Sequence, residues 1–323
     1  MKPPRVHLAV ALVSTACLLS GCGAGPADDA APGTAPAPSE TAISAEAVPL
    51  LAPGHSVGKA LEIGAVPNLR DLGGYQTADG ATVARGIVYR SEVFNSMDDA
   101  DIAALERLGL EMVYDLRTTA EISAKPDQLP PGALHVQLNV LADSKGSAPA
   151  ELGALFQDPE KANEELGGGK IESLFVDGYR EFVSLPSAKK AYRALFLSLA
   201  DEANAPGVFH CTTGKDRTGW AAAALLTLLG VPKDTVVEDF VRSNDYIRPQ
   251  YQKVIDEFVA AGGNADIALA VFGVNAGYLE ASFDEMEKQY GTIERYFSEG
   301  LGVDAAAQDG LCLLYTSPSP RDS

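Results

Sequence analysis

Cysteine, histidine, tryptophan and basic residues are all scarce in this sequence of 323 residues. Its four cysteines and four histidines are too few, and too scattered, to predict a zinc cluster or a disulfide framework. Lysine and arginine together number 25 against 44 aspartates and glutamates, which gives a formal net charge of −19. Because no excess of cations is available to replace the counterions of phosphates, this balance argues against a nucleic-acid partner.

Apolar residues, in contrast, are plentiful. The chain is 46% hydrophobic and 21% charged, which supports a packed core and excludes a wholly disordered or fibrous protein. The length allows one or two domains of roughly 100–200 residues each.

The N-terminus has the pattern of a secretory signal. Lys2 and Arg5 precede a nearly continuous apolar run, Val6–Leu19, which is shorter than the roughly 20 residues of a membrane span. The run ends in Leu-Ser-Gly-Cys, which resembles the lipobox of bacterial lipoproteins and implies that Cys22 becomes the lipidated first residue after cleavage. We therefore expect a signal peptide over residues 1–21 and an extracytoplasmic protein, anchored to the bacterial membrane through Cys22 or released from it. A plain secretory signal is the alternative.

Both ends of the chain lie outside the segment expected to fold. Residues 22–56 are rich in Ala, Pro, Gly and Ser and have no apolar periodicity, so we interpret them as the lipidated cysteine and a disordered tether. Residues 312–323 resemble a translated sequencing-library adapter, the alternative being a natural disordered tail. We exclude them from the fold, and expect that the natural C-terminus is missing and that residues 57–311 form the domain.

Only one cysteine then remains in the predicted domain. Cys17 lies in the signal, Cys22 carries the lipid and Cys312 lies in the adapter-like tail, so Cys211 has no partner for a disulfide. A solitary cysteine is often just a small buried hydrophobic residue. The residues around Cys211 favour a chemical role instead.

The segment around Cys211 predicts a strand, a tight loop and a buried helix. Val208–Cys211 forms a short, mainly apolar run, and Thr218–Leu229 contains strong helix formers that are apolar almost all round. Gly230 and Pro232 suit the end of that helix.

A loop of this length can direct several backbone N–H groups at one point, where the positive end of the following helix adds to them. Such a site binds a tetrahedral dianion and stabilises a thiolate at Cys211. The side chain of Arg217 can reach the opening of this anion site and hold two equatorial oxygens of the bound dianion. Gly214 permits the unusual backbone angles of the loop.

Residues 210–219 read His-Cys-Thr-Thr-Gly-Lys-Asp-Arg-Thr-Gly, which resembles the signature loop of cysteine-dependent protein tyrosine phosphatases. Asn68–Tyr75, which reads Asn-Leu-Arg-Asp-Leu-Gly-Gly-Tyr, is similar to the N-terminal motif of the bacterial group that includes secreted mycobacterial and Listeria-type lipoprotein phosphatases. Further similar stretches are Tyr89–Ser91, Tyr114–Arg117, Arg242–Asp245, Gly273–Val274, Tyr278–Leu279 and Tyr290–Gly291. A sulfur-carrying, rhodanese-type loop is disfavoured because Arg217 and Thr218 suit phosphate capture.

The resemblance covers about residues 60–303 and implies an α/β, tyrosine-phosphatase-like fold with a central, mostly parallel sheet flanked by helices. The patterns agree, since strands alternate with helices, and the site is expected at the carboxyl ends of the strands. The predicted strands are Gly86–Arg90, Glu111–Asp115, Ala133–Leu138 and Val208–Cys211, and the predicted helices are Asp98–Leu108, Ile171–Val183, Ser187–Ala200 and several more up to about residue 300. Val140–Lys170 predicts either a lid or binding loop or an unstructured connection.

We expect the Cys211 thiolate to attack phosphorus, forming a phosphocysteine that water then hydrolyses. Arg217 and the loop N–H groups would hold the charge of the transition state, and the predicted substrate-binding residues are His210, Thr212, Thr213, Gly214, Lys215 and Thr218. His210 is expected to orient the loop rather than to act as a base. Thr218 either assists departure of the sulfur or is an ordinary first-turn helix residue.

The general acid is less clearly indicated. Many tyrosine phosphatases use an aspartate in a Trp-Pro-Asp loop, but the sole tryptophan, Trp220, lies in the predicted helix. Asp216, inside the loop, and Asp115, at the end of a predicted strand, both remain candidates, although Asp115 equally suits an ion pair with a nearby arginine.

The expected substrate is a phosphorylated protein or a phosphoinositide. Lys215 adds a second cation, which in the resembling group accompanies activity on phosphoinositides. Arg70, Arg90 and Arg117 either add to a positive mouth or form structural ion pairs. An inositol-phosphate or small-molecule phosphatase and an inactive phospho-ligand-binding module are the alternatives. No cofactor and no metal are expected for the reaction.

Overall fold

The computed structural model describes residues 56–144 and 155–317, together with Leu152. The predicted signal peptide, the lipidation site at Cys22 and all but the last residue of the predicted tether lie outside the described residues. So do parts of the segments 140–170 and 312–323.

A five-stranded sheet forms the centre of the fold. Its spatial order is β1-β3-β6-β4-β5, with β1 antiparallel to β3 and all other neighbours parallel. These strands are β1 Arg70–Asp71, β3 Val88–Ser91, β4 Met112–Asp115, β5 Leu134–Gln137 and β6 Gly207–His210. The intervening strand β2, Thr82–Val83, pairs instead with β7, Thr316–Ser317, near the end of the described chain.

Helices cover both faces of the sheet. They are α1 Asp99–Glu106, α2 Thr119–Ala124, α3 Pro159–Leu166, α4 Lys170–Ser184, α5 Pro186–Leu199, α6 Arg217–Leu228, α7 Lys233–Val241, α8 Ser243–Ala260, α9 Ala265–Val271, α10 Ala276–Tyr290, α11 Ile293–Arg295 and α12 Ala305–Tyr315. A 3₁₀ turn occupies Glu202–Asn204 and a π-helical turn occupies Tyr296–Leu301.

The position of β6 follows from its sequence. Every residue of β6 is buried, as expected for a central parallel strand covered on both faces, and Val208 and Phe209 pack into different hydrophobic clusters on its two sides. Helix α6 is buried along nearly its whole length, with Trp220 in its first turn. The loop after Cys211 therefore joins a fully buried strand to a buried helix.

A third hydrophobic cluster lies on helices α3, α8 and α9. Leu166, Phe258 and Ile267 belong to its buried core, and Phe156 packs against it. Part of the segment 140–170 is thus helical and packed, since α3 lies within it.

The predicted α/β fold is confirmed. The strands expected at 86–90, 111–115, 133–138 and 208–211 and the helices expected at 98–108, 171–183 and 187–200 all form, with ends displaced by one or two residues. Helices connect the successive parallel strands of the sheet, as parallel pairing requires a crossover connection.

The end of the described chain packs against the body of the fold. Tyr315 is 1% exposed, and its hydroxyl donates to the carbonyl oxygen of Leu199 at 3.1 Å. Residues 312–317 therefore occupy the end of α12 and strand β7. The adapter origin of residues 312–323 stays a prediction.

Within the described residues, we find no helix with the length and apolar character that a membrane crossing requires.

Candidate active site

Cys211 follows strand β6 directly, at the carboxyl edge of the sheet, and is 1% exposed. The loop after it ends at Arg217, the first residue of α6. Gly214 has φ +68°, and a Cβ there would lie 2.5 Å from the carbonyl oxygen of Ser91. Both the backbone angle and the close approach of β3 require glycine at this position.

Backbone N–H groups of the loop are available to a ligand. In the part of the chain that the structure describes, the amides of residues 212–216 donate to no protein group, whereas the carbonyls of Thr212, Thr213 and Gly214 accept from groups outside the loop. Asn68 Nδ2 donates to the Thr213 carbonyl at 3.1 Å, and Arg90 Nη2 donates to the Gly214 carbonyl at 2.8 Å. Consecutive backbone amides without protein partners can form an anion-binding nest.

Asp239 explains why Arg90 is held in place. Nη1 of Arg70 and Nη1 of Arg90 each lie 2.6 Å from this carboxylate, and all three side chains are buried. Burial raises the pKa of Asp239, but the two guanidinium charges outweigh it and lower the pKa below its usual value. Arg70 and Arg90 therefore form structural ion pairs with Asp239, and Arg90 also supports the loop. The sequence allowed this role or a contribution to a positive mouth.

Arg217 is fixed by a residue that the sequence interpretation missed. Glu121 Oε2 accepts from Arg217 Nη1 at 2.8 Å, and Oε1 accepts from Nη2 at 2.7 Å. Oε1 also accepts from the hydroxyl of Thr212. Burial raises the pKa of Glu121, but the hydrogen bonds and charge of Arg217 outweigh it and lower the pKa to about 2.

Glu121 comes into position through helix α2. Thr118 caps that helix, its hydroxyl accepting from the Glu121 N–H at 3.3 Å while Glu121 Oε2 accepts from the Thr118 N–H at 3.0 Å. This is a reciprocal capping box, which Thr-x-x-Glu in the sequence signals. The pattern predicts a helix start but does not show that the same carboxylate reaches Arg217.

Asp216 and Lys215 form a pair at the mouth of the loop. Lys215 Nζ lies 2.8 Å from Asp216 Oδ1 and 4.8 Å from the centroid of the Phe175 ring. The same Oδ1 accepts from the Tyr179 hydroxyl at 2.9 Å. Burial, together with the Asp216 charge, raises the pKa of Tyr179 well above its usual value, so the phenol keeps its proton.

Asp115 has a different environment. Its side chain is fully buried, and Arg117 donates from Nε to Oδ1 at 2.8 Å and from Nη2 to Oδ2 at 2.7 Å. Burial alone would raise the pKa of Asp115, but the hydrogen bonds from Arg117 hold it below its usual range. Among the two acid candidates, only Asp216 lines the cavity beside the loop.

Two further predicted site residues flank the loop in the sequence, His210 directly before Cys211 and Thr218 directly after Arg217. Nδ1 of His210 is 3.3 Å from the carbonyl oxygen of Cys211, in a geometry that suits the predicted loop-orienting role. Thr218 is fully buried, and its hydroxyl has no hydrogen-bond partner among the described residues. That hydroxyl is therefore not committed to any other acceptor there.

A cavity of about 320 Å³ adjoins the loop. Its polar side is made by Thr212, Thr213, Lys215, Asp216 and Arg217, and its apolar side by Leu152, Phe156, Phe175, Tyr251, Val254, Val271 and Phe272. Helices α4, α8 and α9 supply most of the apolar wall, which neither the loop motif nor the strand pattern predicts. The arrangement can hold an anion at its base and an apolar group above it.

Comparison with known proteins agrees with this geometry. A model described as the tyrosine phosphatase family matches residues 61–317. The triple specificity protein phosphatase PtpB of Mycobacterium tuberculosis is 30% identical over 267 residues, covering 74% of this chain and 92% of that protein. A Cupriavidus necator protein named as a tyrosine-protein phosphatase is 30% identical over 246 residues, covering 76% of this chain and 85% of that one. A tyrosine-protein phosphatase of Nostoc commune is 29% identical over 163 residues, covering 50% of this chain and 49% of that one.

The match spans the sheet, the loop and the apolar wall of the cavity, and it confirms the predicted family and the predicted enzyme class. The chain belongs to the tyrosine phosphatase family and is a protein-tyrosine phosphatase.

Proposed function

We propose that this phosphatase hydrolyses phosphomonoesters through a phosphocysteine intermediate on Cys211. The observation that carries the proposal is the loop itself, whose amides have no protein partner while its carbonyls are bound from outside. A buried cysteine begins this loop and a fixed guanidinium ends it. Preorganised donors of this kind stabilise the charge that develops on a transferring phosphoryl group.

In the first step the Sγ–P bond forms as the P–O bond to the leaving group breaks. The loop amides and Arg217 hold the three equatorial oxygens, and Asp216 gives a proton to the leaving oxygen. In the second step water attacks phosphorus, Asp216 takes the proton, and the Sγ–P bond breaks to restore the thiolate and release phosphate. The hydroxyl of Thr218 donates to the departing sulfur.

Asp216 is the better acid on geometric grounds. It lines the cavity, whereas both oxygens of Asp115 are bound by Arg117.

The substrate class follows from the two sides of the cavity. The apolar wall, with Phe175 and Phe272, suits the ring of phosphotyrosine, and Lys215 supplies a cation for a second anionic group. We infer activity on phosphotyrosine, with phosphoserine, phosphothreonine and phosphoinositides as further substrates. The name of the Mycobacterium tuberculosis relative, a triple specificity phosphatase, supports this breadth.

The test is a substrate panel assayed with the wild type and with Cys211→Ser. We expect turnover of p-nitrophenyl phosphate and phosphotyrosine peptides, inhibition by vanadate, persistence in chelator and complete loss in the variant. Turnover retained by Cys211→Ser would refute the nucleophile. Binding without turnover would identify an inactive recognition module, and turnover of soluble inositol phosphates alone would identify a small-molecule phosphatase.

We also propose that the mature protein is extracytoplasmic and attached to the bacterial membrane by lipid on Cys22. The support is the sequence Leu-Ser-Gly-Cys after the apolar run. Mass spectrometry of the mature N-terminal peptide should show acyl chains on Cys22, and Cys22→Ser should release the protein from the membrane fraction. An unmodified Cys22 in the mature protein would refute the anchor.

A further inference from the structure

A cluster of four metal-binding side chains lies behind the phosphate loop. Asp115 ends β4, His135 lies on β5 and His210 ends β6, and Asp127 reaches them from the loop after α2. Each offers one ligand atom, and these atoms all lie within 4.8 Å of one another. Because β5, β4 and β6 are neighbours in the sheet, the fold brings together residues that are scattered in the sequence.

One imidazole nitrogen in this cluster lacks a hydrogen bond. His210 is fully buried, and among the described residues its Nε2 has no hydrogen-bond partner. The nearest carboxylate oxygens are Asp127 Oδ2 at 3.4 Å and Asp115 Oδ1 at 4.0 Å. Burying a polar atom without a partner is costly, so the site favours a group that accepts the nitrogen lone pair.

Three of the separations between ligand atoms, two from His135 and one from His210 to Asp127, suit a tetrahedral ion. Nε2 of His135 lies 3.3 Å from Asp115 Oδ2 and 3.4 Å from Asp127 Oδ2. The 3.3 Å contact is a hydrogen bond, longer than the usual N–H···O separation of about 2.9–3.0 Å. Both distances match the edge of a tetrahedron, about 3.3–3.4 Å, when zinc lies about 2.0–2.1 Å from each ligand.

Arg117 lies on the same carboxylates and is compatible with an ion. Its Nη2 donates to Asp115 Oδ2 and to Asp127 Oδ2, at 2.7 Å each. A carboxylate oxygen has two lone pairs, so each can keep the guanidinium and offer the other pair to a metal. Hydrogen bonds to ligating carboxylates are a usual outer shell of metal sites. With neutral imidazoles, the two carboxylates and Arg117 leave one net negative charge.

We propose that these four side chains bind one zinc ion through two imidazole nitrogens and two carboxylate oxygens. Two imidazoles and a tetrahedral spacing favour zinc over magnesium or calcium, which prefer more oxygen ligands. The side chain of His135 is 32% exposed and gives the ion access from solvent.

Zinc at this site orders the backbone of Cys211 through His210. An ion on Nε2 fixes the tautomer with the proton on Nδ1, which then donates to the Cys211 carbonyl 3.3 Å away. The ion takes no part in phosphoryl transfer, so turnover in chelator is still expected. It stabilises the junction of β6 with the phosphate loop.

Zinc titration of the chelator-treated full chain, monitored by calorimetry, tests the proposal. The Cys211→Ser variant is used, because it lacks the thiolate that would bind zinc inside the loop and because the result then does not depend on phosphatase activity. We expect one ion per chain with micromolar or tighter affinity. Cobalt should give the intense visible bands of a four-coordinate site, without a thiolate charge-transfer band.

Substitution of the accessible ligand completes the test. His135→Ala should weaken zinc binding at least tenfold, whereas Gln137→Ala, two residues along the same strand, should leave it unchanged. The proposal is overturned if Cys211→Ser binds no zinc, if His135→Ala binds as tightly as its parent, or if cobalt shows thiolate ligation. His135 lies on the edge strand β5 and is partly exposed, so this variant should fold.

Discussion

Glu121 binds Arg217 along one edge of the guanidinium, with both terminal nitrogens donating to its carboxylate. Nε of Arg217 donates to no protein group among the described residues, so the edge formed by Nε and Nη2 remains available to phosphate. The guanidinium is therefore oriented before substrate arrives, which reduces the entropy lost on binding.

Glu121→Gln should lower kcat/KM by up to about 100-fold, because a misoriented Arg217 no longer matches the transition state. The loss should appear in steady-state kinetics with p-nitrophenyl phosphate, together with weaker vanadate inhibition. Glu111→Gln, in the turn before β4, is the matched control and should behave like the wild type. Equal kinetics for both variants would show that Arg217 needs no carboxylate.

The same ion pair predicts an acid dependence of stability. The pKa of Glu121 is about 2 in the folded protein, against an ordinary value of 4.5. Its contribution to the free energy of unfolding is thus fully present above pH 4.5 and is lost as the pH falls towards 2. Urea unfolding at pH 6 and pH 3 should show a smaller decrease for Glu121→Gln than for the wild type. Parallel decreases would contradict the assignment.

Asp216→Asn should impair catalysis, whereas Asp115→Asn should lower the stability of the fold. Loss of the proton donor should slow hydrolysis of esters with poor leaving groups by about 100- to 10,000-fold while sparing p-nitrophenyl phosphate. Asp115→Asn breaks a buried ion pair, so it should destabilise the fold by about 3–5 kcal/mol. A leaving-group series for Asp216→Asn, and denaturant unfolding for Asp115→Asn, measure the two effects. A steep leaving-group dependence in Asp115→Asn alone would reverse the assignment.

Glu92 should make the protein less stable as the pH rises. Burial raises its pKa to about 7, although the Asn68 N–H donates to its carboxylate at 3.0 Å. Between pH 4.5 and 7 the unfolded chain releases this proton while the folded chain retains it, so the free energy of unfolding falls with pH and then levels off. Glu92→Gln keeps the acceptor and should be more stable than the wild type at pH 8 but not at pH 4. Identical pH profiles in urea unfolding would disprove this.

Gly214→Ala should abolish phosphate binding, because the added Cβ would clash with the Ser91 carbonyl at a positive φ. Gly178→Ala is the contrasting control, since a Cβ there meets nothing within 4 Å. It lies inside α4, where alanine should stabilise the helix by about 1 kcal/mol. Vanadate binding and thermal unfolding of both proteins compare the two effects. Normal vanadate binding by Gly214→Ala would show that the loop tolerates the clash.

Local patterns were sufficient to predict four of the five strands of the central sheet and the loop after Cys211, whereas the two-residue strand β1 was missed. Val208 and Phe209 are apolar next to a glycine-containing loop, and these features depend only on neighbours in the sequence. The position of Glu121 was not predictable in this way. Its distance from Arg217 depends on how α2 packs against the loop, and a capping pattern carries no information about that packing.

The ion pairs of Asp239 with Arg70 and Arg90 could not be predicted from the local sequence either. Asp239 lies in α7, far along the chain from Arg70 and Arg90, and nothing in its local sequence marks it as their partner. The apolar wall of the cavity was missed for a similar reason, because it combines side chains from several helices whose meeting is a tertiary property.

The attachment of Arg90 to both Asp239 and the Gly214 carbonyl makes helix α7 part of the mechanical support of the catalytic loop. A substitution there can therefore alter turnover without touching any group that meets phosphate. Efforts to engineer the enzyme for durability should leave this carboxylate intact and seek their changes on the outer faces of the surrounding helices.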